Sequence, residues 1–202
     1  VRRYGARGVG LFRTEYLYIA SDDLPTEEQQ TDMYSAVARA LAPDPVVIRT
    51  LDIGGDKIDK RFDSHPGANP FLGWRAIRFC LGRPDIFKTQ LRAILRSSVH
   101  GNVKIMYPLV SIVDEVIAAN RILDEVRDEL TAEGVPFDAD IEVGVMIEVP
   151  SAALTAELIA PHIRFFSLGT NDLVQYTLAV DRVDLRVAHL YDPTHPSVMK
   201  LI

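Results

Sequence analysis

Short apolar runs alternate along this chain with longer stretches in which apolar residues recur at helical spacing, the pattern of βαβ units around a parallel sheet. About five runs read as strands: Gly8–Arg13, Val46–Thr50, Val103–Pro108, Val143–Val149 and Phe165–Gly169. Between them lie amphipathic segments. Thr26 with Gln29 three residues on predicts a capping box, after which Met33, Val37 and Leu41 share one face. Phe87, Leu91, Ile94 and Leu95 line the next helix. The longest is expected to open at Ser111, to present Ile112, Val116, Ala119, Leu123, Val126 and Leu130, and to end at Gly134 and Pro136. A further helix-length segment spans Ser151 to Ile159.

Two carboxylates stand out against this pattern. Glu148 closes the run Val143–Ile147, and Asp172 follows Arg164–Leu168 through the polar turn Gly169-Thr-Asn-Asp172; both runs read as buried parallel strands. In a β/α barrel such positions lie at the C-terminal mouth, where active sites are built. Adjacent acids repel unless a cation or a proton lies between them, so the pair calls for a divalent metal. Asp172 alone reads as a helix N-cap residue, and its pairing with Glu148 is what marks it.

Arg13 and Arg49 end the first two apolar runs. A guanidinium fixed on a strand end keeps its charge and offers forked donors suited to phosphate or carboxylate. Either one alone reads equally well as a structural ion pair; two arginines and two acids at equivalent strand ends point to a site. Arg182, ten residues after Asp172, adds another cation or a surface ion pair, and Arg75, after Asn69-Pro-Phe-Leu-Gly-Trp, is placed to reach the same mouth. Asp52-Ile-Gly-Gly-Asp-Lys57 is glycine-rich but lacks the spacing of a Walker phosphate loop. Cys80, between Phe79 and Leu81, reads as a small buried hydrophobe, and His189 and His195 as structural or exposed residues.

Composition narrows the classes. The net charge of −6 argues against general nucleic-acid binding while leaving room for a local cationic pocket. A single cysteine excludes an intramolecular disulfide framework and fits a reducing cytoplasm. With no apolar run of spanning length and no signal peptide, the expectation is a cytoplasmic chain without membrane contact. Val1–Ala6 reads as the end of one helix and Val198–Ile202 as the middle of another. About five strands cannot close an eight-stranded barrel, so residues 1–202 are expected to form part of a (β/α)8 TIM barrel within a larger protein.

The blocks GVGLFRTEYL, VVIRTLDIGGDK, NPFLGWRAIR, QLRAILRSS, GVMIEVPSA and SLGTNDLVQYTLAVDR, in this order over nearly the whole chain, resemble the phosphoenolpyruvate-utilising enzymes, Enzyme I of the bacterial phosphotransferase system most closely. The resemblance implies that Glu148 and Asp172 hold Mg²⁺, that Arg13, Arg49 and Arg182 grip the phosphoryl group with Arg75 nearby, and that Asn171 hydrogen-bonds the substrate. It implies transfer from phosphoenolpyruvate, leaving pyruvate, to a histidine on an N-terminal domain and then to a small histidine phosphocarrier protein in sugar uptake. A homodimer through the barrel is implied as well. The family's phosphohistidine and its cysteine acid match nothing here, and the first and last two barrel strands are missing, so this stretch is expected not to turn over alone. Alternatives are a pyruvate phosphate dikinase or phosphoenolpyruvate synthase, a Mg²⁺-dependent lyase or aldolase acting on 2-oxo acids, and a non-catalytic binding or dimerisation module.

Overall fold

The computed structural model describes residues 2–20, 23–54 and 71–202. Five parallel strands, β1 (Val9–Phe12), β2 (Val46–Arg49), β3 (Val103–Tyr107), β4 (Val143–Ile147) and β5 (Phe165–Leu168), pair in chain order into one sheet that curls as a half-barrel with helices outside it. Register is continuous from Val46↔Val103 through Ile105↔Val143 to Ile147↔Leu168. Every residue of β4 is buried, as expected of an inner parallel strand covered on both faces. β5 departs from the expected buried strand: Phe166 and Leu168 are 40% and 48% exposed. Among the described residues it is paired along one edge only.

Between β1 and β2 lie α1 (Glu15–Ile19) and α2 (Glu27–Leu41); between β2 and β3 lie α3 (Ala76–Gly82) and α4 (Pro84–Ser97). Helix α5 (Val113–Ala132) joins β3 to β4, and α6 (Pro150–Leu154) and α7 (Ala156–Ile159) join β4 to β5. After β5 come α8 (Thr170–Leu178) and α9 (Pro196–Met199). The capping box forms: Gln29 N–H donates to Thr26 Oγ1 and Thr26 N–H to Gln29 Oε1. The buried face of α2 differs from the expected one, however. Tyr34, Ala38 and Leu41 face the core with Gln30, Met33 is exposed and Val37 half-buried. The tyrosine hydroxyl of Tyr34 reaches Gln30 Oε1, so a polar-looking face satisfies itself internally while the ring packs edge-on against Phe12.

Helix α5 starts two residues later than expected, with Ile112 exposed at its cap and Val116, Ala119, Leu123, Val126 and Leu130 buried. Glu115 sets that start by accepting from the N–H groups of Ser111 and Ile112. Gly134, at φ +69°, ends the helix region: Val135 N–H returns to Leu130 O and Gly134 N–H to Thr131 O. The segment 151–159 is two short helices broken at Thr155, the first beginning at Pro150. Near the C-terminus only a single turn, α9, is helical. Cys80 is buried as expected, with its thiol pushed well up by desolvation, and His189 and His195 are exposed. Pro70 and the 55–57 portion of the glycine-rich motif lie outside the described residues.

Candidate functional site

Because all strands run the same way, their C-terminal ends share one rim, and the anomalous charged residues of the sequence collect there. A cleft of about 550 Å³ is lined by Arg13, Arg49, Arg75, Arg182, Glu15, Asp52, Glu148, Asp172 and Asp181 together with Asn171, Gln175, Met146 and Leu168. Its size suits a small molecule. The seven residues singled out for substrate and metal are all on this lining.

The first two strand ends are tied by buried side chains. Gln90, fully buried on α4, accepts from Leu51 N–H at 2.8 Å and donates to Thr14 Oγ1 at 3.2 Å; Thr14 donates in turn to Arg49 O at 3.0 Å. The residue after Arg13 is thereby fixed to the strand end that carries Arg49. Arg49, 7% exposed, makes ion pairs with Glu15 at 2.7 Å and Asp52 at 3.0 Å. Burial alone would lower its pKa, but the charges of Asp52 and Glu15 outweigh that and raise it. Arg13 is exposed and has no hydrogen bond or ion pair among the described residues, so its guanidinium is free to meet a ligand.

Arg75 arrives from α3, whose N-terminus it caps. Its Nη2 lies 2.9 Å from Asp52 Oδ1 and 3.2 Å from Asp172 Oδ2, and Nη1 donates to the Tyr176 hydroxyl at 3.4 Å. Here too, burial opposes the charge but Asp52, Tyr176 and Asp172 hold the pKa above its ordinary value. Among the described residues, Nε of both Arg49 and Arg75 is buried without a hydrogen-bond partner. Arg182 completes the ring of cations, its Nη1 2.9 Å from Asp172 Oδ1. It is therefore no mere surface pair with Asp181, whose Oδ1 instead accepts from Val183 N–H.

Asp172 occupies the first turn of α8, not a turn before it, since Gly169 takes the cap position. A carboxylate there meets the positive end of the helix dipole as well as the two arginines. Asn171 is exposed on the same turn, next to the Tyr191 hydroxyl, which donates to its backbone oxygen at 3.2 Å.

Glu148 is 3% exposed. Its Oε1 accepts from Leu109 N–H at 2.7 Å, and its Oε2 has no hydrogen bond among the described residues. Leu109 sits at φ +53°, the left-handed region that a leucine occupies only at a cost on the order of 1–3 kcal/mol. The strained residue is the one that aims its N–H at the acid. Desolvation first, then the neighbouring charges of Asp52 and Asp172, push the Glu148 carboxyl up to about 7. Gly169 makes room: a Cβ there would lie 2.6 Å from Glu148 Cβ and 2.8 Å from Oε2.

Sequence reasoning missed Glu15, Asp52, Leu109 and Gly169 as working parts of this site. Glu15 and Asp52 lie two and three residues from the arginines, which is a local signal for pairing. Leu109 contributes only a backbone N–H and leaves no side-chain signature.

A family model described as "PEP-utilising enzyme, PEP-binding domain" matches residues 1–202. Among curated proteins, one named phosphoenolpyruvate-protein phosphotransferase from Priestia megaterium is 53% identical over 98% of this chain and 35% of its own length. Proteins of the same name from Lactococcus lactis subsp. cremoris and Staphylococcus aureus are 52% and 50% identical with the same coverage. The chain thus spans about a third of the length of these relatives. A solved structure titled a citrate lyase, from Burkholderia xenovorans LB400, is 16% identical over 89% of this chain and 58% of that one, with a TM-score of 0.46, a likeness too slight to argue from.

Proposed function

The chain belongs to the PEP-binding domain family of PEP-utilising enzymes, and on that footing we propose that its cleft binds phosphoenolpyruvate with Mg²⁺ for phosphoryl transfer to a histidine of the whole protein. From there the phosphoryl group passes to a small histidine phosphocarrier. The observation that carries the reading is the convergence of Arg13, Arg49, Arg75 and Arg182 on a cleft that also holds Glu148 and Asp172. The names of the 50–53% identical relatives support the phosphotransferase over a dikinase or synthase. A lyase or aldolase leaves four converging arginines without a task.

The donor set fits magnesium. Glu148 Oε2 is a hard oxygen without a hydrogen-bond donor, pressed by two like charges that a cation would offset. Asp172 offers the second carboxylate, and Mg²⁺ commonly keeps one or two carboxylates while sharing its sphere with water and substrate oxygens. When bound, the ion held by Glu148 and Asp172 would supply positive charge to offset charge developing on the phosphoryl group.

The side chains do the rest by position. Transfer of a phosphoryl group passes through a loose transition state, so holding and neutralising it matter more than covalent help. Arg49 and Arg75 are braced by carboxylates and cannot swing away, so they present fixed donors to phosphate. Arg13, exposed and unpaired among the described residues, adds a further guanidinium from the residue after β1. Asn171, on the exposed first turn of α8, donates to the substrate through its amide.

Calorimetric titration of phosphoenolpyruvate with and without Mg²⁺ tests the reading. Binding that needs the metal is expected, and Arg49→Lys should weaken it about tenfold, because a point charge replaces a forked donor. Metal-independent binding, or no binding by the folded chain, would sink the proposal.

A further inference from the structure

The stretch Asp52-Ile53-Gly54 is given no task in the phosphoryl transfer above, yet three separate contacts run from it to Arg75 and the residue that follows. Asp52 bridges two guanidinium groups, Oδ2 to Arg49 at 3.0 Å and Oδ1 to Arg75 at 2.9 Å. Ile53 O accepts from Ala76 N–H at 3.1 Å. At Gly54 an added Cβ would fall 1.7 Å from Arg75 Cβ and 2.8 Å from its Cα, so the arginine's own backbone fills the space a side chain would take. Ala76 itself sits at φ +51°, a left-handed conformation that needs outside support.

We propose that Asp52–Gly54 is a positioning element: it seats the Arg75 turn and yokes Arg75 to Arg49, so that the two guanidinium groups meet a phosphate as one rigid surface. The inference deepens the phosphoenolpyruvate reading and rests on it for the identity of the ligand. Asp52 does not touch substrate. It acts through the arginines, and its single carboxylate fixes their spacing because one oxygen serves each. The glycine-rich look of the motif thus arises from close packing of an arginine, not from a phosphate cradle.

A simple charge argument makes the opposite prediction. Removing a buried negative charge beside a bound anion should tighten binding, whereas loss of a positioning residue should weaken it. Asp52→Asn keeps the shape and decides between them. Two quantities are read: the affinity for phosphoenolpyruvate with Mg²⁺, and the exchange rate of the Nε–H protons of Arg49 and Arg75 by arginine-selective NMR without ligand.

We expect affinity to fall and exchange of the Arg75 proton to quicken, each about tenfold or more. In an Arg75→Gln background, Asp52→Asn should change affinity by less than about twofold, because the partner through which it acts is gone. Unchanged or tighter binding, unchanged Arg75 exchange, or full additivity of the two substitutions would overturn the yoke. Failure of the wild type to bind phosphoenolpyruvate would overturn the substrate reading instead, while the exchange rates still decide the yoke. Should D52N give an unfolded amide spectrum, Asp52→Glu keeps the charge but lengthens the arm, and the same loss of affinity and protection is expected; wild-type values there overturn the proposal.

Discussion

Glu148 retains a proton at pH values where an exposed glutamate has lost it, and this makes folding stability depend on pH. Its folded pKa lies near 7, above the value of 4.5 for a free side chain, so the folded state binds the proton more tightly. The associated stability is complete below about pH 4.5 and is lost as pH rises through 7. Urea unfolding of wild type and Glu148→Gln should therefore diverge over that window, the wild type falling relative to the variant by at most about 3 kcal/mol. Parallel profiles would show that the carboxyl is not perturbed. At Gly169, alanine would push Glu148 from the Leu109 N–H, and Mg²⁺-dependent binding should drop by at least about tenfold while the circular dichroism spectrum is kept. Arg13, Arg49, Glu148 and Asp172 were legible in the sequence because a charge closing an apolar run is an anomaly that burial rules do not predict. The yoking of Arg75 by Asp52 and the strained N–H at Leu109 were not, since one depends on a contact across 23 residues and the other on a dihedral angle.

The helices outside the sheet are joined by charges as well as by apolar contact. Arg92 on α4 pairs with Glu27 of α2 at 2.7 Å and with Glu129 and, just beyond α5, Glu133, at 3.4 and 2.6 Å. Arg96 adds Glu27 and Glu28, and Lys88 adds Glu125 and Glu129. Single exposed pairs contribute little, but one guanidinium shared by three carboxylates from two neighbouring helices resists that dilution. Arg92→Ala should cost about 1 kcal/mol at low salt and distinctly less in 1 M NaCl. A cost independent of salt would assign the effect to packing of the side-chain stem. Element existence was readable from periodicity, and strand order followed from the βαβ alternation. Finer points were not: Tyr34 and Gln30 bury a polar face by bonding to each other, and Thr155 breaks a segment whose apolar spacing continues unbroken.

Across the whole molecule, the cleft joins residues that are far apart in sequence. Arg75 meets Asp172 across 97 positions and Tyr176 across 101, and Arg13 lines the same cleft as Arg182. No helix among the described residues is long and apolar enough to cross a membrane. In refolding, binding of phosphoenolpyruvate with Mg²⁺ should appear with the slowest phase, together with protection of β4 and β5 amides, because non-local pairing forms late. A binding signal arriving with the first helices would contradict this. The spacing has a consequence for synthesis. A ribosome releases Arg13 and Arg49 long before Asp172 and Arg182, so a growing or prematurely ended chain carries the early cations of the lining without the acid and the arginine that complete it. Under the proposed reading, capture of phosphoenolpyruvate would act as a certificate of length: products clipped before Arg182 would lack the part of the lining that follows β5.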